Sequence, residues 1–216
     1  MVAIGVMLAV AIHTVNYSAL ASFGLALDTV NGQASAQLVS PLGEMDDRKI
    51  EDWNRRRGDL GIHTVSPVLV VRTDQLTVLG LDFFKSAIVS PSLLPSVMSD
   101  ARSLFDAKSL FLSRAALDTL NLKVGDKLSL RYGLDSVSLR VAGEVPGAAA
   151  QAIGVMDIGS AQWAFNRLGV VSRLDLRLEE WQSTQGLSDA LTAQSEPLQL
   201  VAMQDRNRRM SLLSRA

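Results

Sequence analysis

Residues 2–27 contain no charged side chain; the first to appear is Asp28. By length alone such a stretch reaches the ~20 residues of a membrane span. Its character changes part-way, from small and apolar over residues 1–12 to polar over 13–18 (HTVNYS). From there Val15, Ala19, Phe23, Leu27 and Val30 recur every three or four positions, one stripe of an amphipathic helix. The pattern predicts a helix over residues 1–32, its first part in lipid and its second part rising into water. The purely apolar part, about a dozen residues, is short of the ~30 Å of hydrocarbon. No Lys or Arg precedes it, and no A-x-A site in it or after it is followed by a clear mature start. The segment fits three descriptions: the end of a membrane helix, the remnant of a signal peptide, or a buried helix of a soluble domain.

Beyond Asn31-Gly32, which stops the helix, the pattern becomes one of short elements. Residues 34–39 read as a strand. Asp46 or Asp47 is placed to cap a helix running to about Arg57, with Ile50 and Trp53 inward and Arg55, Arg56 and Arg57 at its C-terminal end. Residues 65–72 and 76–81, rich in β-branched side chains and joined by Thr73-Asp74-Gln75, predict a hairpin. Pro67 predicts that the first of these strands opens at a sheet edge. Ser90-Pro91 and Leu94-Pro95 mark a boundary.

Residues 110–112 are a short strand, and Ser113 is a good cap for a helix carrying Ala116, Leu117 and Leu120 that Asn121 can close. Leu128, Leu130 and Tyr132 alternate with polar positions, as do Val137, Leu139 and Val141, predicting a second hairpin. Gly125 and Asp126 are the expected tight turn before it, and Gly143, Pro146 and Gly147 its exit. Residues 153–156 read as a strand, with Asp157 or Ser160 capping a helix that holds Trp163, Phe165 and Leu168. Leu174, Leu176 and Leu178 alternate with Asp175, Arg177 and Glu179, a strand. Leu187, Ala190 and Leu191 suit a helix, and residues 197–203 a last strand. Residues 204–216 open one more helix.

Composition narrows the chemistry. The 216 residues are 48% apolar and 20% charged, enough to bury a core. A formal charge of −1 argues against a phosphate-backbone binder, so no nucleic-acid partner is expected. The chain has no cysteine and two histidines, which excludes disulfides, thiolate sites and cysteine nucleophiles. There is no G-x-S-x-G, H-E-x-x-H, Walker A, G-x-G-x-x-G or calcium loop. His63 is the one plausible general base, and reads better as a polar residue at a strand start. The paired acids Asp46-Asp47 and Glu179-Glu180 are sequence neighbours, which share a face of neither helix nor strand. Trp53, Trp163 and Trp181 read as core anchors. No catalytic, cofactor or metal residue is expected, and the chain is expected not to be an enzyme.

Residues 112–130 (LSRAALDTLNLKVGDKLSL) resemble the L-S-x-x-x-A-x-x-L-x-L-x-x-G-D-x-x-x-L signature of the MacB-like periplasmic core domain in FtsX-like ABC transporter permeases. Residues 141–147 (VAGEVPG), 155–162 (VMDIGSAQ) and 173–178 (RLDLRL) are similar to segments that follow it in that family, in the same order. Residues 11–20 (AIHTVNYSAL) are similar to the end of that permease's first membrane helix. The resemblance implies an α+β fold: a porter-like strand–helix–strand subdomain (residues 33–90 and 171–203) with a small β-rich subdomain (91–170) inserted. These would stand on two terminal stalk helices, residues 1–32 and 204–216, with Asn16 and Ser18 as membrane-proximal helix contacts.

It further implies a place on the periplasmic or extracytoplasmic side of a bacterial inner membrane. The implied partners are a cytoplasmic ABC-type ATPase, the rest of the permease or a second copy, membrane lipid and a periplasmic protein. The expected role is to transmit ATP-driven motion or to guide a lipid-like, lipoprotein or hydrophobic substrate. Two other readings stay open: a soluble periplasmic adaptor or peptide-binding module working by strand addition, and a hydrolase using His63.

Overall fold

The computed structural model describes residues 34–96, 101–193 and 197–202. In chain order the elements are β1 (Ala36–Val39), β2 (Met45–Asp46), α1 (Lys49–Arg56), β3 (Ile62–Arg72), β4 (Thr77–Leu81) and α2 (Phe83–Val89). Two 3-10 turns, Pro91–Leu93 and Ala101–Phe105, lead to β5 (Ser109–Ser113), α3 (Arg114–Leu120), β6 (Lys127–Tyr132) and β7 (Asp135–Val145). A third such turn, Pro146–Ala148, precedes β8 (Ile153–Asp157) and α4 (Ile158–Ala164). The chain closes with β9 (Val170–Val171), β10 (Arg173–Leu178), α5 (Thr184–Ala193) and β11 (Gln199–Ala202). The two expected stalk helices, with Asn16 and Ser18, lie outside the described residues.

The fold is α+β. Nine strands form one mixed sheet in the order β11-β1-β10-β3-β4-β8-β5-β7-β6, and β2 pairs with β9 in a separate two-stranded ribbon. The pairs β4–β8 and β5–β7 are parallel and the rest antiparallel. Strands from residues 34–81 and 173–202 occupy one side of the sheet, and strands from residues 109–157 the other; β4 and β8 are the junction.

Local chemistry accounts for the starts and stops. Asp82 caps α2, its carboxylate accepting from the Phe84 and Lys85 N–H groups, and Asp157 caps α4 by accepting from Ser160 N–H. Asn121 closes α3 in the left-handed conformation at φ 50°. Ser113 joins two elements: its Oγ accepts from Ala116 N at 3.2 Å and Ile153 N at 3.1 Å and donates to the Gln151 carbonyl. Because Ser113 is fully buried, Ser113→Ala removes three hydrogen bonds and takes the cap from Ala116 N–H, while Ile153 N–H keeps its bond to Gln151 O at 3.0 Å. A loss of about 2 kcal/mol is expected from its urea midpoint, and a loss below about 0.5 kcal/mol would contradict this role.

Several expectations are corrected. β3 is central, between β10 and β4, so Pro67 does not mark an edge. Val68 accepts from Ser172 N on the β10 side, so by strand alternation Pro67 turns its donor-less nitrogen the opposite way, towards β4. There β4 has already ended, at Leu81 opposite Val68, so no ladder bond is lost. Neither Asp46 nor Asp47 caps α1 through its side chain. The N-cap residue is Arg48, and Asp46 accepts instead from the Arg48 guanidinium first and then its backbone N–H, which hold its carboxyl down at about 2. Trp53 is buried, as expected, but Trp163 and Trp181 are exposed, and so is Leu168; Phe165, with Ala164 beside it, carries the end of α4 into the core. β10 is buried on both faces rather than one, Arg173 and Asp175 included.

Candidate functional site

The two described ends of the chain leave the sheet together. Ala36 of β1 stands directly opposite Ala202 of β11, and Ser35 N–H donates to Leu176 O at 2.8 Å. Leu176 in turn lies opposite Val65 of β3. From that level β3 continues seven residues to Arg72, roughly 20–25 Å at a strand's rise per residue. β1 runs the same way and delivers the loop bearing Leu42 to the far end. The molecule therefore has a pole where the chain enters and leaves, and an opposite pole built from loops.

At the opposite pole is a cleft of about 540 Å³, bounded by the Leu42–Glu44 loop, the end of β3, the β6–β7 turn and the segment following α4. Val70 and Val71 line it from β3, with Tyr132 and Phe165 packed edge to face at 5.0 Å beside them. Glu44 and Arg167 form an ion pair at its rim. The Ser172 hydroxyl in its wall accepts from Val70 N–H at 2.9 Å. Leu42 and Leu134 project from the cleft's border into solvent. This is a shaped, partly apolar recess, and among the described residues that line it no nucleophile is hydrogen-bonded to a base.

His63 lies at the other end of β3. Its Nδ1 is 3.2 Å from Glu179 Oε1, its carbonyl accepts from Arg57 Nη1 at 2.6 Å, and the imidazole is half exposed. The geometry gives the ring a carboxylate partner at the surface and, among the described residues, no hydroxyl bonded to it. Among the described residues no group of three or more His, Asp or Glu could hold a metal ion.

The residues singled out as turns do not gather at the cleft. Gly125, at φ 101°, donates to Val141 O at 2.8 Å. Asp126 folds its carboxylate back on Lys123 N–H at 2.8 Å while its carbonyl accepts from Val141 N at 2.9 Å. Gly143 is not at the hairpin's exit but inside β7, where a Cβ would meet the Phe111 ring at 3.1 Å and Ser96 O at 3.2 Å. Pro146 and Gly147 form the 3-10 turn after β7, and Gly147 lies hard against Ser92. Gly143 and Gly147 thus line a packing seam with residues 92–96.

Two features escaped the sequence reading. One is the buried polar row under α2: Arg173 and Asp175 bonded at 2.8 Å, with Gln37 and Ser66 opposite Asp175 on the neighbouring strands. Ser66 Oγ is 3.3 Å from Ser86 Oγ of α2, both buried. The signal was present, since opposite charges two apart share one face of a strand. The other is the clamp on β6. Asp74 N–H donates to Arg131 O at 3.0 Å, its carboxylate accepts from Arg131 N and Nε at 3.0 Å, and Gln75 Nε2 donates to Ser129 O at 3.1 Å. The β3–β4 turn thereby covers the open edge of the sheet's last strand.

The Arg131 backbone N–H first, and then its guanidinium, hold the Asp74 carboxyl below the usual carboxylate range. A depressed carboxylate contributes stability that is complete above its unfolded pKa of about 4 and is lost as pH falls through the folded value. The urea midpoint of Asp74→Ala should therefore trail the parent's by a constant amount above about pH 5, and the gap should narrow below about pH 4. A gap unchanged down to pH 2.5 would contradict the assignment.

No family model matches the sequence, and no curated protein matches it either. Solved structures do match. The periplasmic region of MacB from Actinobacillus actinomycetemcomitans superposes with a TM-score of 0.52 at 9% identity, covering 86% of this chain and 95% of that one. The extracellular domain of the noncanonic ABC-type transporter YknZ from Gram-positive bacteria superposes with a TM-score of 0.53 at 11% identity, covering 78% and 99%. The likeness is one of fold, and it spans nearly the whole of both transporter domains. Among the described residues no helix is long and apolar enough to cross a membrane.

Proposed function

We propose that this chain is the extracytoplasmic domain of an ABC transporter permease, a body that transmits ATP-driven motion or guides a lipid-like, lipoprotein or hydrophobic substrate and makes no bonds of its own. The observation that carries this reading is a fold shared with nearly the whole of two transporter extracytoplasmic domains. The pairing of Ala36 with Ala202 supports it, because a domain looped between two membrane spans must send both ends out side by side. On this reading residues 1–32 and 204–216 are the stalk, with Asn16 and Ser18 at its helix contacts. ATP is hydrolysed by a separate cytoplasmic subunit, and the cleft faces away from the bilayer. The domain would divide into a porter-like part (33–90 and 171–203) and an inserted part (91–170), with Gly125, Asp126, Gly143, Pro146 and Gly147 as structural residues.

The test uses the absence of cysteine in the chain. Trp163→Cys, at an exposed position, should react with a membrane-impermeant maleimide in intact cells whose outer envelope has been made permeable. Reaction only after the inner membrane is lysed would overturn the reading.

A further inference from the structure

We infer that the porter-like part and the inserted part fold and move as one body, with no hinge between them. Three contacts weld them. First, β4 and β8 pair in parallel over five residues, from Thr77 opposite Ile153 to Leu81 opposite Asp157, in the middle of the continuous sheet. Second, α4 is pressed onto that junction: a Cβ on Gly80 would meet Ala161 Cβ at 2.8 Å and Leu69 Cβ at 3.3 Å, so helix and sheet touch at the closest approach glycine permits. Third, the clamp of Asp74 and Gln75 on Ser129 and Arg131 ties the far strand of the inserted part to the tip of the β3–β4 hairpin.

The apolar cores are shared as well. One packs Leu69, Val71 and Val78 with Leu110, Leu130 and Met156. Another packs Val68, Leu79 and Phe83 with Phe111, Val145 and Ile153. A hinge at the β4–β8 line would open both cores to water, and interiors packed at crystal density resist such shear. The consequence for mechanism rests on the transporter reading: displacement at the paired ends Ala36 and Ala202 arrives undiminished at the cleft, whose walls come from both parts.

The experiment is equilibrium unfolding of the full chain followed by one probe in each part. Trp53 fluorescence reports on the porter-like part once the exposed Trp163 and Trp181 are replaced by Phe. A fluorophore on Leu134→Cys, at the exposed β6–β7 turn, reports on the inserted part. Coincident urea transitions are expected. Leu130→Ala, in β6, should move both to lower urea together, by roughly 1 M. Two separated midpoints, or a Trp53 transition left in place by Leu130→Ala, would overturn the inference. If Leu130→Ala does not fold, coincidence or separation of the two signals in the otherwise unaltered chain decides the question. Failure here leaves the transporter reading standing, and failure of the cell-labelling test leaves the single body standing.

Discussion

Gly147→Ala is expected to destabilise the protein by about 3 kcal/mol or more, among the largest effects of any one-carbon change in the molecule. The added Cβ would stand 2.1 Å from the carbonyl oxygen of Ser92 and 2.8 Å from its carbonyl carbon. Real carbon–oxygen contacts stop about an ångström further out. What it meets is backbone, held in the Pro91–Leu93 turn by Leu93 N→Ser90 O at 3.0 Å and Leu94 N→Pro91 O at 3.1 Å, so no flexible side chain can swing aside. Relief requires the two 3-10 turns to part, and both Leu93 and Ala148 then leave a core in which each is fully buried. The comparison that isolates sterics from backbone entropy is Gly58→Ala, where nothing lies within 4 Å and φ is ordinary for an L-residue. That change should be neutral or mildly stabilising. Urea midpoints for the two variants settle the matter, and a Gly147→Ala protein within 0.5 kcal/mol of its parent would show that the seam is loose.

Gly147 also shows what can and cannot be read from a chain of letters. That Pro146-Gly147 ends a strand follows from local chemistry, because proline lacks a donor and fixes φ. That Gly147 must be glycine depends on Ser92, 55 positions away in the sequence, and no local rule reaches it. The same division holds elsewhere. The Ser113 and Asp157 caps, the left-handed Asn121 and the alternation of β6 are local and were legible. Pro67 was misread because edge or centre is a property of sheet order, not of the strand itself. Trp163 and Trp181 were misread because ring size predicts average burial and says nothing of which side of an element faces a neighbour. The cleft could not be foreseen, since its walls come from five separate stretches brought together by β-strand order. The family resemblance on residues 112–130, 141–147, 155–162 and 173–178 did convey the α+β class of the described residues, because the order of motifs along a chain constrains topology where composition does not.

The second large effect is expected at Asp175, and it concerns charge rather than shape. Asp175 and Arg173 are two residues apart on the face of β10 under α2, joined Nε to Oδ1 at 2.8 Å and Nη2 to Oδ2 at 3.4 Å. Their side chains are 2% and 8% exposed. Removing the carboxylate leaves a guanidinium in a place where water cannot solvate it, so Asp175→Ala should cost about 3–5 kcal/mol. The attraction within the pair offsets the desolvation of both ions only in part, which predicts a reversal. Replacing both together, as Arg173→Met with Asp175→Leu, should recover most of that loss and can exceed the parent's stability. Guanidinium unfolding is unsuited to the comparison because it screens the charges under test; urea is the denaturant to use. A single variant that loses less than 1 kcal/mol would mean that water reaches Arg173 after all. A double variant as unstable as the single would mean that the pair's value lies in how it packs beside Gln37 and Ser66 on the neighbouring strands rather than in mutual neutralisation. With the expected outcome, stability alone does not require an ion pair on a buried strand of the nine-stranded sheet. What the pair does fix is register: a shift of β10 by one residue would carry Arg173 and Asp175 to the opposite face, into the apolar cluster of Leu38, Trp53 and Leu187. β10 is the strand that pairs with β1, next to which β11 lies, so its register sets where Ala36 and Ala202 lie relative to the cleft.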